Sequence, residues 1–195
     1  MRTRTRLLAS AVVAVLGVTG LASPAIANPS SQAPRETSLA SFQGRTIDLS
    51  KSWEGAQVCA VLSRSEVRCY ATNEEASADL APPTTSTGAS RGAAGPIGTL
   101  AWHGCDNNWL CIYEHQNFGG KKLQFSDEYW HDLDNWAFQD KTTSFVNNQG
   151  GDPWGCSGSD SGTLGDGAGN NFHMGDCTAS SNIGSYNDRA EDIHG

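Results

Sequence analysis

Six cysteines have the widest range of possible chemistry in this chain: Cys59, Cys69, Cys105, Cys111, Cys156 and Cys177. They could bind zinc, act as nucleophiles or oxidise to disulfides. A structural zinc site wants short Cys-x-x-Cys or His-x-x-x-His spacings, and none of the 5 histidines supplies one. An even cysteine count in an exported chain points to disulfides. The cysteines fall into three neighbouring pairs, each within one apparent hairpin or loop, so sequential pairing is expected. Catalysis would require a nucleophile beside a base, or a metal with an open position. Neither His-Glu-x-x-His nor Gly-x-Ser-x-Gly occurs. The carboxylate pairs Asp132 with Asp134 and Glu191 with Asp192 read as solvated turn residues, and His115 and His173 as surface or turn-packing histidines. No catalytic residue is assigned, and the chain reads as a non-enzyme.

Export follows from the first residues. Arg2, Arg4 and Arg6 precede an apolar run from Leu7 to about Leu21, and Ala25-Ile26-Ala27 is a small-x-small cleavage site, together a secretory signal over residues 1–27. No later run has the ~20 apolar residues that a bilayer crossing needs, so a secreted protein with no membrane contact is expected. Cleavage subtracts three arginines and no acids from 13 basic and 21 acidic residues, taking the formal charge from −8 to −11. Such a field repels polyphosphate backbones and argues against nucleic acid as a partner. It suits solubility and divalent cations.

The elements that carry these residues divide into segments. Residues 28–40 are rich in Pro, Ser and Gln with no hydrophobic period and read as a disordered leader. Residues 41–75 carry β-branched and apolar residues around a polar Ser63-Arg64-Ser65 turn, a small β-hairpin segment. Its register sets Cys59 opposite Cys69, close enough for a disulfide. Too small to stand alone, it must dock or stay loose. Residues 76–98 have the Ala, Pro, Gly and Ser composition of a linker. Residues 99–195 hold five of the six tryptophans, many glycines and short apolar runs between Gly, Asn and Asp, the texture of one antiparallel all-β domain.

Two stretches of that domain are specific. Tyr113-Glu114-His115-Gln116-Asn117-Phe118-Gly119-Gly120 places two aromatics and a glycine so that the second ring can fold back on the first while Gly120 takes a positive φ. Gln139-Asp140-Lys141-Thr142-Thr143-Ser144 is a turn of oxygen-bearing side chains entering the apolar pair Phe145-Val146. Together with Cys105-x5-Cys111, Leu123, Phe125, Trp130 and Asp132-Leu133, they resemble the βγ-crystallin Greek key. More narrowly, the chain resembles the actinobacterial secreted metalloproteinase-inhibitor family built on that fold. Ser185 to Ile193 suggests a second half-motif, because Asp188 follows Asp140 by 48 residues. The resemblance implies a βγ-crystallin-like sandwich of two Greek keys, preceded by the disulfide-linked hairpin segment.

The resemblance also implies a site and a function. Calcium is the cofactor it brings, with Asp140, Thr143, Ser144, Asn187 and Asp188 as side-chain ligands, carbonyls from Lys141 and Arg189, and Glu191 as a further carboxylate. Calcium takes six to eight oxygens at ~2.3–2.6 Å. The same residues could instead close tight turns through side-chain to backbone hydrogen bonds. Gln139 and Glu191-Asp192 depart from the usual motif. The second half lacks an aromatic-x4-aromatic-x-Gly hairpin, and Gly150 to Asn171 reads as a flexible insert tied by Cys156 and Cys177. The inhibitor resemblance implies a binding loop near that disulfide, with Trp154, Gly155, Cys156 and Ser157 as the contact residues. The function expected is a secreted inhibitor of extracellular metalloproteases, acting as a monomer by occupying the active-site cleft. The alternative is a calcium-binding βγ-crystallin module with a structural, cell-surface or antagonistic, killer-toxin-like role.

Overall fold

The structure, a computed structural model, describes residues 36–81, 102–152, 155–156 and 160–195, with backbone alone at 151–152 and 155–156. The expected signal peptide, Trp154 and Ser157 lie outside these residues, as do most of the leader and linker. The described residues belong to one compact unit, and among them no helix is long and apolar enough to cross a membrane.

Alternating apolar residues and tight turns build the N-terminal part. β1 (Leu39–Phe42) buries Ala40 and Phe42 and pairs antiparallel with β2 (Arg45–Asp48) across a Gln43-Gly44 turn at positive φ. β3 (Val58–Ser63) and β4 (Glu66–Tyr70) form the expected hairpin, with a bulge between Val61 and Ser63. Cys59 lies opposite Cys69, and the two form a disulfide. α1 (Asn73–Leu80) starts where Thr72 accepts the Glu75 N–H and the Glu75 carboxylate accepts the Ala71 N–H, a reciprocal cap. Two boundaries therefore shift. The end of the leader enters β1, and the start of the linker is helical because this cap satisfies its first turn.

The C-terminal domain supplies β5 (Leu110–His115), β6 (Gly119–Phe125), β7 (Trp130–Asp132) and β8 (Ser144–Asn147) from one key. The short pair β9 (Gly151–Asp152) and β10 (Gly155–Cys156) follows. The second key supplies β11 (Gly162–Gly165), β12 (Asn171–Met174), β13 (Thr178–Ser180) and β14 (Asp192–His194). One sheet runs β13-β8-β5-β6-β3-β4-β1-β2 and the other β12-β11-β14-β7. Each key thus lends its third strand to the other's sheet, which is a two-Greek-key, all-β arrangement. Gly162 to Asn171, expected as part of a flexible insert, belongs instead to the β11–β12 hairpin, where Leu164 faces Phe172.

Residues 41–75 do not stand apart from residues 99–195. β3 pairs in parallel with β6, Cys59 beside Leu123, and makes one continuous eight-stranded sheet. Trp53 packs on Phe138 and donates its indole N–H to the Trp136 carbonyl at 2.8 Å, while the Trp136 indole donates to the Thr37 carbonyl at 3.0 Å. The inner face joins Leu110, Ile112, Leu123, Phe125, Phe145, Leu164 and Ile193 in one core. The outer face is covered too, because Cys111, Tyr113 and Val146 form a second cluster with Leu80 of α1 packed against it. Ser77 of α1 donates to the Asp106 carboxylate at 2.8 Å. Tethering of both faces explains why the hairpin segment docks.

Candidate functional site

Local folding at the β5–β6 turn is as the motif requires. Phe118 sits edge-on to Tyr113, ring centroids 5.7 Å apart, after Asn117 takes φ 57°. Gly120 has φ 76°, and a Cβ there would lie 2.8 Å from the His115 ring, so the position excludes a side chain. Ser144 pins the turn, donating to the His115 carbonyl at 2.6 Å and accepting the Phe118 N–H at 3.1 Å. Its hydroxyl is thereby committed to the hairpin and not to the cleft next to it.

Two turns then meet across a pseudo-twofold axis. The Asp140 N–H donates to the Ala190 carbonyl at 2.8 Å, and the Asp188 N–H donates to the Thr142 carbonyl at 3.1 Å. Both aspartates have φ 54°. The Thr143 N–H reaches the Tyr113 carbonyl at 2.9 Å, and its counterpart Glu191 N–H reaches the Gly165 carbonyl at 2.8 Å. One β-strand end and one turn from each key therefore frame each of two related positions.

The first position is an open cleft of about 490 Å³ lined by Glu114, His115, Gln116, Asp140, Lys141, Thr143, Asn187 and Asp188. Thr143 Oγ1 donates to the Glu114 carbonyl at 2.9 Å and stands 3.4 Å from Asp188 Oδ1. Asn187 Nδ2 donates to Asp188 Oδ2 at 2.6 Å, and Asn187 Oδ1 is buried without a hydrogen-bond partner. A hydroxyl, a carbonyl and a carboxylate converge here, a donor set that fits a hard cation such as calcium. Asp140, Lys141, Thr143, Asn187 and Asp188 line this one cleft, with the Lys141 ammonium turned back onto the Ala137 carbonyl at 2.6 Å. Glu114, unmarked in the sequence as a site residue, joins them through its place in the folded hairpin.

The second position is different. Asp166 heads the β11–β12 turn and accepts N–H groups from Ala168 and Asn170 and the Asn170 side-chain amide. The Asn170 side chain first, then these backbone donors and Arg189, hold its carboxyl below the usual carboxylate range. Arg189 Nη2 lies 2.6 Å from Asp166 Oδ2, and its guanidinium sits 5.4 Å from the Tyr186 ring centroid. Glu191 lies against Gly167, where an added Cβ would be 2.2 Å from Glu191 Oε2. A position already holding an arginine cation does not fit a divalent ion. The Arg189 and Glu191 side chains, like the Ser144 hydroxyl, thus stand apart from the cleft that gathers Asp140, Lys141, Thr143, Asn187 and Asp188.

Of the expected disulfides, Cys59–Cys69 and Cys105–Cys111 are formed. Cys177 is also disulfide-bonded, while of the contact residues only the backbone of Gly155 and Cys156 is described and Trp154 and Ser157 lie outside the described residues.

Fold and geometry define an all-β, two-key domain of βγ-crystallin type with one open cleft between its paired turns. Residues 99–160, less than half of the chain, match the model of peptidase inhibitor family I36. This match supports a peptidase inhibitor, a protein that acts on a protease by binding it and not by catalysis. A solved structure of a βγ-crystallin from Ciona intestinalis is similar over 44% of this chain and 96% of that chain, at 22% identity and a TM-score of 0.33. No curated protein matches.

Proposed function

We propose that the mature chain is a secreted inhibitor of extracellular metalloproteases that acts as a monomer by occupying the active-site cleft. The observation that carries this is the match of residues 99–160 to a peptidase inhibitor family. Three of the four large exposed apolar side chains among the described residues, Trp102, Tyr129 and Trp130, lie inside that stretch. Exposed aromatics are favoured anchors at protein interfaces; Trp130 opens β7, which pairs with β14, and Trp102 is bridged to Cys105, itself disulfide-bonded to Cys111, so these two positions are ordered before binding. The contact proposed from sequence, Trp154 to Ser157, lies in the same matched stretch. The test is titration of a thermolysin-type and a subtilisin-type protease with the oxidised mature chain, with its mass recorded afterwards. Stoichiometric inhibition of the metalloprotease alone by an uncleaved chain is expected. Inhibition of neither enzyme refutes the reading.

A second reading is a calcium-binding module, favoured by the convergence of Glu114, Thr143 and Asp188 in one cleft. Calcium bound only by the folded chain stabilises it, so millimolar calcium raises Tm and Asp188→Ala blunts the rise. An unchanged Tm in the parent chain removes calcium from the account.

A further inference from the structure

The pseudo-twofold relation offers two positions for a cation, and the chain has treated them unequally. At the first, Thr143 and Asp188 leave an open cleft. At the second, the corresponding hydroxyl is replaced by Glu191, and Asp166 heads a turn closed by its own hydrogen bonds and by Arg189. The Arg189 guanidinium contacts Asp166 on one side and the Tyr186 ring on the other. The Tyr186 hydroxyl in turn lies 3.1 Å from both the Leu164 and Asn170 carbonyls and donates between them, so the ring under the guanidinium is fixed to β11 and to the end of the turn before β12. Arg189 side-chain atoms are 47% exposed, whereas those of Asp166 are 4% exposed. The cation therefore caps a nearly buried carboxylate from the solvent side, as a bound ion would.

We propose that Arg189 is a built-in cation: it neutralises Asp166, closes the second of the two related positions to divalent ions, and limits the domain to one metal ion. The anchoring is internal and permanent, so the β11–β12 hairpin keeps its shape without calcium. Only the count of one rests on the calcium reading of the first cleft. Closure by Arg189 does not depend on it.

The test uses the oxidised mature chain, freed of metal by chelation, with calcium as the probe in calorimetric titration and thermal melts. Asp188→Asn disables the first cleft, so any remaining calcium response reports on the second position. With Arg189 intact that variant gives none. Adding Arg189→Gln lowers its Tm in chelator, and calcium at about a hundred times its Kd restores about 5 °C. Arg189→Lys keeps a cation in place and behaves as the parent. Should the parent bind no calcium while Asp188→Asn with Arg189→Gln gains a response, the first-cleft reading fails and closure by Arg189 stands. Two calcium ions per parent chain, or a calcium response in Asp188→Asn alone, overturns the proposal. It is equally overturned if Arg189→Gln melts as the parent does and gains no response in either background.

Discussion

His131 makes the stability of this fold depend on pH in a way that can be worked out in advance. Its side chain is fully buried between Phe125 and Trp136. Nδ1 hydrogen-bonds to Glu36, and Nε2 lies 2.6 Å from Asp127 Oδ1. Burial opposes the imidazolium, but the hydrogen bonds to Asp127 and Glu36 outweigh it and push the group up to about 9 from 6.5. Between those values the folded chain holds a proton that the unfolded chain has released. The stability contributed by His131 is therefore fully present below pH 6.5 and falls as pH rises. Each pH unit in that window removes about 1.4 kcal/mol, or about 2 kcal/mol from pH 6.5 to 8.

Lys122 then reverses the slope. It is buried in β6 with its ammonium on the Gly104 carbonyl, and burial lowers it to about 8 from 10.5. Above pH 8 the unfolded chain binds the extra proton at this residue, so Lys122 adds stability with rising pH at the rate His131 removes it. The expected profile from urea unfolding is a decline from pH 6.5 to 8, a plateau to about 9, then a rise. Lys122→Met extends the decline to pH 9, and Glu36→Gln shrinks it by removing one of the two charges that face the imidazolium. A parent chain whose stability is level between pH 6.5 and 8, or one whose decline survives in His131→Gln, refutes the reasoning.

Two further outcomes test other parts of the structure. Gly120→Ala forces a Cβ to within 2.8 Å of the His115 ring at φ 76°, and urea unfolding should show a loss of about 1–3 kcal/mol; parent-like stability would mean the folded hairpin yields. Deleting residues 28–98 bares the β6 edge and the Tyr113–Val146 face, so calorimetry should find a much lower or absent melting transition. An unchanged melt would show that β1–β4 do not support the domain.

Features set by local sequence were legible in advance, and those set by distant pairing were not. The polar Ser63-Arg64-Ser65 turn brought Cys59 opposite Cys69, and the Tyr113 to Gly120 spacing gave the folded hairpin. The β11–β12 hairpin escaped notice because its strands are four residues each and its turn is organised by Asp166 hydrogen bonds, with no second aromatic. Its one local sign was an aspartate heading a Gly-Ala-Gly turn. Helix α1 carried a readable sign in Thr72 and Glu75, the reciprocal cap, at the end of the hairpin segment and just ahead of the stretch whose composition suggested a linker. The parallel β3–β6 pairing had no local sign at all, because strands joined across so long a connection choose each other by the surfaces they cover.

That pairing bears on what the first key can do. An inhibitor that works by occlusion gains affinity from surface that is already ordered before binding, and β5, β6 and β8, within the stretch matched to the inhibitor family, are each paired on both sides. β5 is flanked by β6 and β8, its Cys111 is bonded to Cys105, and its two faces are covered by separate apolar clusters. β6, the outer strand of a bare first key, is covered by β3. The N-terminal strands therefore remove an exposed edge, which is a hazard for aggregation, and stiffen the strand that leads through the Tyr129 loop to Trp130 at the start of β7. If the chain inhibits as proposed, these strands would contribute through the rigidity of this scaffold, so mutations in β3 that loosen the pairing should weaken protease binding chiefly by raising the dissociation rate.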